Sequence, residues 1–320
     1  AEYKGIKGFK VQSLASDPTA DEGQIWYNTT SSTLKYDTVA AGTWASGGAL
    51  GTGRYGAGGA GSQTAALIFG GSGPVTAVTE SYDGSTWTEV ADLVQARTYL
   101  GGCGTQTAAL AYGGGDHTSG VLTENWNGSA WTEVGDLITA RRRFGSCGIT
   151  TAALAMAGGP PFLALVEDYN GTAWTEVGDL NTARQKPFAA KNGTPTAALC
   201  YGGGPPGTPG AQAIAITESY NGTTWTEVAD LGTARYGGGG AGIQTDALCI
   251  GGGTGPTRSK TESFNGTAWT EENDLGSSRY GNTASAGTGS LAFTAGTQGV
   301  PRSITEEWTK AATVKTVTVT

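Results

Sequence analysis

The chain has 320 residues, of which 55 are glycine, more than double the usage of about 7% typical of globular proteins. Glycine follows no three-residue period, and 9 Trp, 12 Tyr and 7 Phe supply core-forming side chains, which excludes a collagen-like or wholly disordered chain and implies many tight turns. A net charge of −8, from 19 Lys+Arg and 27 Asp+Glu, excludes the broad basic field of a sequence-independent nucleic-acid binder; no apolar run approaches the roughly 20 residues that span a bilayer, so a soluble protein without nucleic-acid partner or membrane insertion is expected.

The opening AEYKGIKGFKVQSLASDP interleaves Lys4, Lys7 and Lys10 with Tyr3, Ile6 and Phe9. It is too short to build a core, so residues 1–22 read as an arm that docks on another protein. It has no secretory pattern, and export is not expected. DEGQIWYNTTSSTLKYD follows, a hairpin-like unit containing Trp26 and Tyr27.

From there the chain repeats itself. Trp44, Trp87, Trp131, Trp174, Trp225 and Trp269 are separated by 43, 44, 43, 51 and 44 residues, and Arg54, Arg97, Arg141, Arg184, Arg235 and Arg279 follow them by ten residues each time. Each unit reads as four short strands: a Gly/Ala run after the Arg, an apolar run such as TAALIFGG, a segment such as VTESY, and a segment such as TWTEV. Asp83-Gly84, Asn127-Gly128, Asn170-Gly171, Asn221-Gly222 and Asn265-Gly266 join the third and fourth strands, and such dipeptides predict two-residue type I′ hairpin turns. Four antiparallel strands every ~44 residues describe a propeller blade, with the Gly/Ala strand at the crowded axis and the aromatics filling the gaps between blades.

The unit count predicts six blades. Third strands are marked by Tyr82, Trp126, Tyr169, Tyr220, Phe264 and Trp308, but only five Trp-bearing fourth strands follow a first strand. The strand at Trp44 is expected to complete the last blade and close the ring, with the alternating tail Val314 to Thr320 as its rival. The expected organisation is a docking arm (1–22), a hairpin with the ring-closing strand (23–48), the propeller (49–309) and a C-terminal strand (310–320).

Over roughly residues 34 to 309 the repeat resembles the kelch family of β-propellers. The features that carry this are Gly-Gly after the second strand, the aromatic-and-Trp hairpin (Tyr82 and Trp87), and the run from Leu93 to Arg97 into the next blade. The last unit departs from the pattern, with Thr294-Ala295-Gly296 in place of Gly-Gly, and the fourth carries an insertion. The segment GQIWYN ahead of such repeats resembles the opening of structural proteins of tailed bacteriophages, especially those of marine and cyanobacterial hosts. That resemblance implies a virion component made in the host cytoplasm. It would be tail- or capsid-attached in several copies, held to other virion proteins through Tyr3, Lys4, Ile6, Lys7, Phe9 and Lys10, and would contact a host surface glycan or protein.

Two groups of residues invite a functional reading. Six arginines near an axis would grip an anion, but Asp92, Asp136, Asp179, Asp230 and Asp274 each lie five residues before one, and a local ion pair bracing the linker is the expected role. In kelch-type topology the loop after Gly-Gly and the linker into the first strand share one face, and there the repeats diverge: SGPVT, GDHTSG, PPFLA, GPPGTPGAQA, GTGPTRSK and TQGVPRS. Tyr55, Tyr99, Arg142, Arg143, Phe144, Lys186, Phe188, Tyr236 and Tyr280 stand at the linker ends, where Tyr and Arg serve recognition or only cap the core.

No enzyme, metal or cofactor is expected. His117 is the only histidine and sits in a loop, too few for copper or zinc ligation and isolated as a base. SYDGSTW lacks the residue that separates Asp from Gly in the Asp box of sialidases, and the non-repeat acids Asp116, Asp246, Glu272 and Glu307 do not pair as a glycosidase requires. Cys103, Cys147, Cys200 and Cys249 show no CxxC spacing and are expected to be free thiols. The expected function is a non-enzymatic virion structural protein that contacts the host through its variable-loop face; a lectin-like carbohydrate-binding propeller is the first alternative and a glycan-active enzyme the second.

Overall fold

Short runs of three alternating kinds, Gly/Ala-rich, Ala/Leu-rich and Thr/Glu/aromatic, fold among the described residues into 28 strands arranged as seven four-stranded sheets. The computed structural model describes residues 11–18, 25–115, 120–159, 162–204, 213–253 and 258–317; the arm residues Tyr3 to Lys10, Asp116 and His117 lie outside them. The chain forms two compact units, Ala1–Gly42 with Lys310–Thr320, and Thr43–Thr309. This division differs from the boundaries read in the sequence. The segment 23–48 is split between the units, and the C-terminal strand joins the N-terminal hairpin.

In the first unit Gln12–Leu14 runs parallel to Ile25–Asn28, which pairs antiparallel with Thr33–Val39; the tail strand Ala312–Thr316 pairs antiparallel with the other edge of Thr33–Val39. Trp26 is fully buried, and Asp17 accepts hydrogen bonds from its indole N–H at 3.2 Å and from the Asn28 amide at 2.6 Å, and pairs with Lys35 at 2.8 Å.

The second unit is propeller-like and holds six sheets. Sheet 1 comprises Gly58–Gly61, Ala66–Phe69, Thr79–Tyr82 and Trp87–Val90; sheet 2, Gly101–Gly104, Ala109–Tyr112, Thr123–Trp126 and Trp131–Glu133. Sheet 3 comprises Gly145–Ile149, Ala152–Met156, Val166–Tyr169 and Trp174–Val177; sheet 4, Phe188–Ala189, Ala198–Tyr201, Thr217–Tyr220 and Trp225–Val228. Sheet 5 comprises Gly239–Ile243, Asp246–Ile250, Thr261–Phe264 and Trp269–Glu271; sheet 6, Ala284–Gly287, Leu291–Ala295, Thr305–Thr309 and the N-terminal strand Thr43–Ser46. Trp44 stands opposite Trp308, as the sequence count expected, and the tail does not take that place.

First strands of consecutive sheets lie side by side, and that of sheet 6 lies beside that of sheet 1. Small residues there are a steric necessity: a Cβ on Gly240 would stand 2.3 Å from the Ala189 carbonyl oxygen, and one on Gly102 3.0 Å from the Gly59 backbone. Core side chains fill the gaps between sheets. Leu67 and Phe69 of sheet 1 pack with Trp126 and Trp131 of sheet 2, and Phe293 of sheet 6 packs with Ile68 and Tyr82 of sheet 1. All four cysteines are free and buried.

Hydrogen bonds repeat this order. The indole N–H of Trp131 donates to Thr79 Oγ1 of the preceding sheet at 3.0 Å, Trp174 to Thr123 at 3.1 Å, Trp269 to Thr217 at 3.1 Å, Trp44 to Thr261 at 2.9 Å and Trp87 to Thr305 at 3.0 Å. Sheet 3 has Val166 where the others have Thr, so Trp225 turns to the Gly178 carbonyl at 2.9 Å. The Asn-Gly and Asp-Gly turns depart from expectation. Only the glycine has positive φ (Gly84 +92°, Gly171 +92°), so these are not type I′. The loop spans four residues, and the Asp83 carboxylate accepts from the N–H groups of Ser85 and Thr86 while the Asn side chains do the same elsewhere.

Candidate functional site

The linker arginines are buried and structural, but their partners are not the expected aspartates. Arg54 pairs with Glu80 at 2.6 Å, Arg97 with Glu124 at 2.8 Å, Arg141 with Glu167, Arg184 with Glu218, Arg235 with Glu262 at 2.9 Å and Arg279 with Glu306 at 3.1 Å. Each Glu comes from the third strand, where alternation turns it inward. It also accepts linker N–H groups, as Glu80 does from Gly51 and Thr52. The Arg fork continues to one carbonyl of the Gly-Gly turn and one just before the third strand, as Arg97 does to Gly113 and Leu122. Asp92, Asp136, Asp179 and Asp230 instead accept the first N–H of the third strand. Every arginine of the set has a side-chain exposure of zero, so none of them is available to an anion.

Just beyond each arginine the backbone forms a collar. Gly56, Tyr99, Arg143, Lys186, Gly237 and Asn282 all have positive φ, between 53° and 68°. Each N–H donates to the carbonyl of a neighbour in a cycle: Tyr99 to Gly56, Arg143 to Tyr99, Lys186 to Arg143, Gly237 to Lys186, Asn282 to Gly237 and Gly56 to Asn282, at 2.6–3.0 Å. Three of the six, Tyr99, Arg143 and Lys186, are large residues held in a conformation that costs L-residues about 1–2 kcal/mol, and such strain gathers at functional sites.

Around this collar the linker ends and the variable loops place cations over tyrosines. The Arg143 guanidinium lies 4.3 Å from the Tyr99 ring centre, the Lys186 ammonium 5.1 Å from Tyr236, Arg258 3.8 Å from Tyr280 and Arg302 5.4 Å from Tyr55. Tyr55 meets Tyr99 edge-on at 6.1 Å, and Arg142 reaches the Gly115 carbonyl at 3.4 Å. None of these five cations has a carboxylate partner among the described residues. Burial, and then the like charge of Arg143, lowers the pKa of Lys186.

Of the residues singled out in the sequence, Tyr55, Tyr99, Arg142, Arg143, Lys186, Tyr236 and Tyr280 meet on this face. Phe144 and Phe188 do not: they are buried under the collar, Phe144 against Tyr112 and Phe188 stacked on Tyr201 at 5.7 Å. Arg258, Arg302 and Asn282 were missed. The signal for the two arginines was there, in the loops GTGPTRSK and TQGVPRS, whose described residues include cations and no acid.

The far ends of the first strands in sheets 1 to 4 surround a larger cavity, about 590 Å³, lined by Ser62, Gln106, Ile149, Asn192 and Pro195 among others and by no ionisable side chain. Its amides are committed elsewhere, Gln106 to Ser81 and Tyr82 and Asn192 to the Gly287 carbonyl, so it lacks the convergent polar groups that orient a ligand. No group of three metal-ligating side chains occurs among the described residues, and no helix is long and apolar enough to cross a membrane.

The chain is similar to the solved structure of YjhT, with 12% identity and a TM-score of 0.65 over 84% of this chain and 99% of that one. No protein-family model and no curated protein matches the sequence. The likeness to YjhT supports an all-β, propeller-like fold and carries no information on activity.

Proposed function

We propose that this chain is a non-enzymatic virion structural protein of a tailed phage, and that its Thr43–Thr309 unit is a six-bladed kelch-like propeller that recognises an anionic host-surface glycan through the collar face. The observation that carries the recognition reading is the grouping of Arg142, Arg143, Lys186, Arg258 and Arg302, unpaired with carboxylates among the described residues, beside four tyrosines in a chain of net charge −8. Local charge opposite to the global charge marks a site tuned to an anion, and phenol rings add contact area to sugar faces. The cycles of Trp and collar hydrogen bonds support the closed six-blade reading. The virion assignment rests on the resemblance of the N-terminal segment to phage structural proteins. Weak binding per copy suffices when many copies act together.

The test has two parts. Mass spectrometry of purified particles is expected to find the chain, and deleting residues 1–10 is expected to remove it from them; a lectin-like protein acting alone would be absent from particles. Glycan arrays are expected to show binding to uronate- or sulfate-bearing polymers over neutral ones. The triple substitution Arg143→Ser, Lys186→Ser, Arg258→Ser should reduce that binding at least tenfold without changing the circular dichroism. Equal binding to neutral polymers would overturn the anionic reading.

A further inference from the structure

The collar is a cycle of hydrogen-bonded positions in the order Gly56, Tyr99, Arg143, Lys186, Gly237 and Asn282, and this order fixes which of them stand across the axis from each other. Arg143 and Lys186 are neighbours, and the positions opposite them are Asn282 and Gly56. Tyr280 and Tyr55 lead into those two positions, and over their rings lie Arg258 and Arg302, carried by the loops between the second and third strands of sheets 5 and 6. The cations of the face are therefore not spread evenly. They form two poles, with Arg142, Arg143 and Lys186 on one side of the axis and Arg258 and Arg302 on the other.

The two remaining collar positions, Tyr99 and Gly237, also stand across the axis from each other, and Tyr236 leads into the second. A tyrosine thus flanks each side of the path from pole to pole, and each carries a cation of the first pole, Arg143 on Tyr99 and Lys186 on Tyr236. Hydrogen-bonded backbones lie about 5 Å apart, which puts opposite members of such a six-membered cycle about 10 Å apart, wider than one sugar ring. Neither pole is satisfied by the protein. Arg142, Arg143, Arg258 and Arg302 each leave the Nε–H donor without an acceptor, and the contacts of Arg142 to the Gly115 carbonyl and of Arg302 to the Gly73 carbonyl are long, at 3.4 Å. The like charges of Arg143 and Lys186 repel each other across one hydrogen bond of the collar, a cost that an anion beside them offsets.

We propose, resting on the glycan reading, that the collar face takes the interior of a polyanionic chain laid across the axis, with one acidic group at each pole, rather than a single acidic sugar at a chain end. The distribution of charge selects this ligand. One carboxylate or sulfate ester answers one pole and leaves the cations of the other unpaired, whereas a repeating acid answers both. Guanidinium forks at each pole take such groups with paired N–H donors, and Tyr99 and Tyr236 offer contact to the sugars between them. Once the first acid is held, the second contact forms within the same complex, so affinity grows with chain length until the ligand reaches both poles and then levels.

The test titrates the full chain calorimetrically with galacturonate oligomers of one to six units and with size-fractionated dextran sulfate. In the series that binds, affinity corrected for the number of sites per oligomer is expected to rise at least tenfold from the shortest member to one that spans the poles, and to level beyond it. The double variants Arg143→Ser with Lys186→Ser, and Arg258→Ser with Arg302→Ser, should each flatten this dependence, leaving long oligomers bound no better than short ones. Length-independent affinity in the wild type overturns the two-pole inference and leaves the anionic-glycan reading standing, as does either double variant that binds the longest oligomer as tightly as the wild type. Failure to bind any member of both series overturns the two together. The wild-type length series decides the matter even if neither variant folds.

Discussion

At the residue scale the most telling side chains are charges taken out of water. Burial lowers the pKa of Arg54, Arg97, Arg141 and Arg279, the opposing pull of their glutamates notwithstanding. A desolvated ion pair is costly to break and cheap to replace as a unit. Arg97→Met alone is therefore expected to destabilise the protein by about 3–5 kcal/mol in urea unfolding, and the double variant Arg97→Met, Glu124→Leu by less than the single one. Lys191 gives the opposite case, a cation without an acidic partner. Its folded-state pKa of about 8 lies below that of an unfolded lysine, so the unfolded state binds more protons between pH 8 and about 10.4 and this group makes stability rise with pH. Lys191→Met should therefore gain on the wild type as pH falls from 10 to 7 in urea unfolding; a difference between the two that stays constant with pH would show that Lys191 does not titrate as inferred.

At the element scale the collar combines two demands. The backbone needs six consecutive left-handed turns to close its hydrogen-bond cycle, and glycine or asparagine supplies them cheaply at Gly56, Gly237 and Asn282. Tyr99, Arg143 and Lys186 meet the same geometry at a conformational cost, which the proposed glycan contact would account for. Arg143→Asn is accordingly expected to leave Tm unchanged or raise it by a few degrees, corresponding to about 1 kcal/mol, while weakening binding to acidic glycans. If stability falls instead, the Arg143–Tyr99 contact outweighs the backbone strain and the collar is primarily structural. The third-strand threonines show a similar economy. Where Val166 removes one, the indole of Trp225 finds a carbonyl rather than remaining unpaired.

At the scale of the whole molecule, sheet 6 takes its outer strand from the other end of the chain. Trp44 packs on Trp308 with ring centres 5.2 Å apart, the same hairpin contact that Tyr82 and Trp87 make at 4.7 Å within one segment. Removing residues 1–42 leaves this strand in place, whereas removing 1–48 takes it away and uncovers Trp308. The second truncation is expected to lower the calorimetric Tm of the six-sheet unit by roughly 10 °C or more relative to the first. Equal melting of the two truncated chains would place the stability of the six-sheet unit elsewhere than in the Trp44 strand.

Periodicity made much of this architecture legible. Five coincident Trp and Arg intervals, the strand count within each unit and the place of Trp44 follow from spacing alone, because every sheet solves the same packing problem with the same residues. The divergence of the loops likewise pointed to the collar face and to seven of its residues. Local pattern misled where a partner lay outside its window. Asp92 stands nearer to Arg97 in sequence than Glu124 does, but the third strand turns Glu124 inward and leaves the aspartate to hold a strand end. Phe144 and Phe188 stand one and two residues beyond cations of the face, yet the chain turns at the collar and sends them into the core. The Asn-Gly dipeptides announced the turns but not their length, which the register of Tyr82 against Trp87 decides. What only the tertiary structure determined is convergence. The cyclic collar and the pairing of cations with tyrosines from neighbouring sheets arise because six strands far apart in sequence meet at one axis, where close packing sets which side chains face each other.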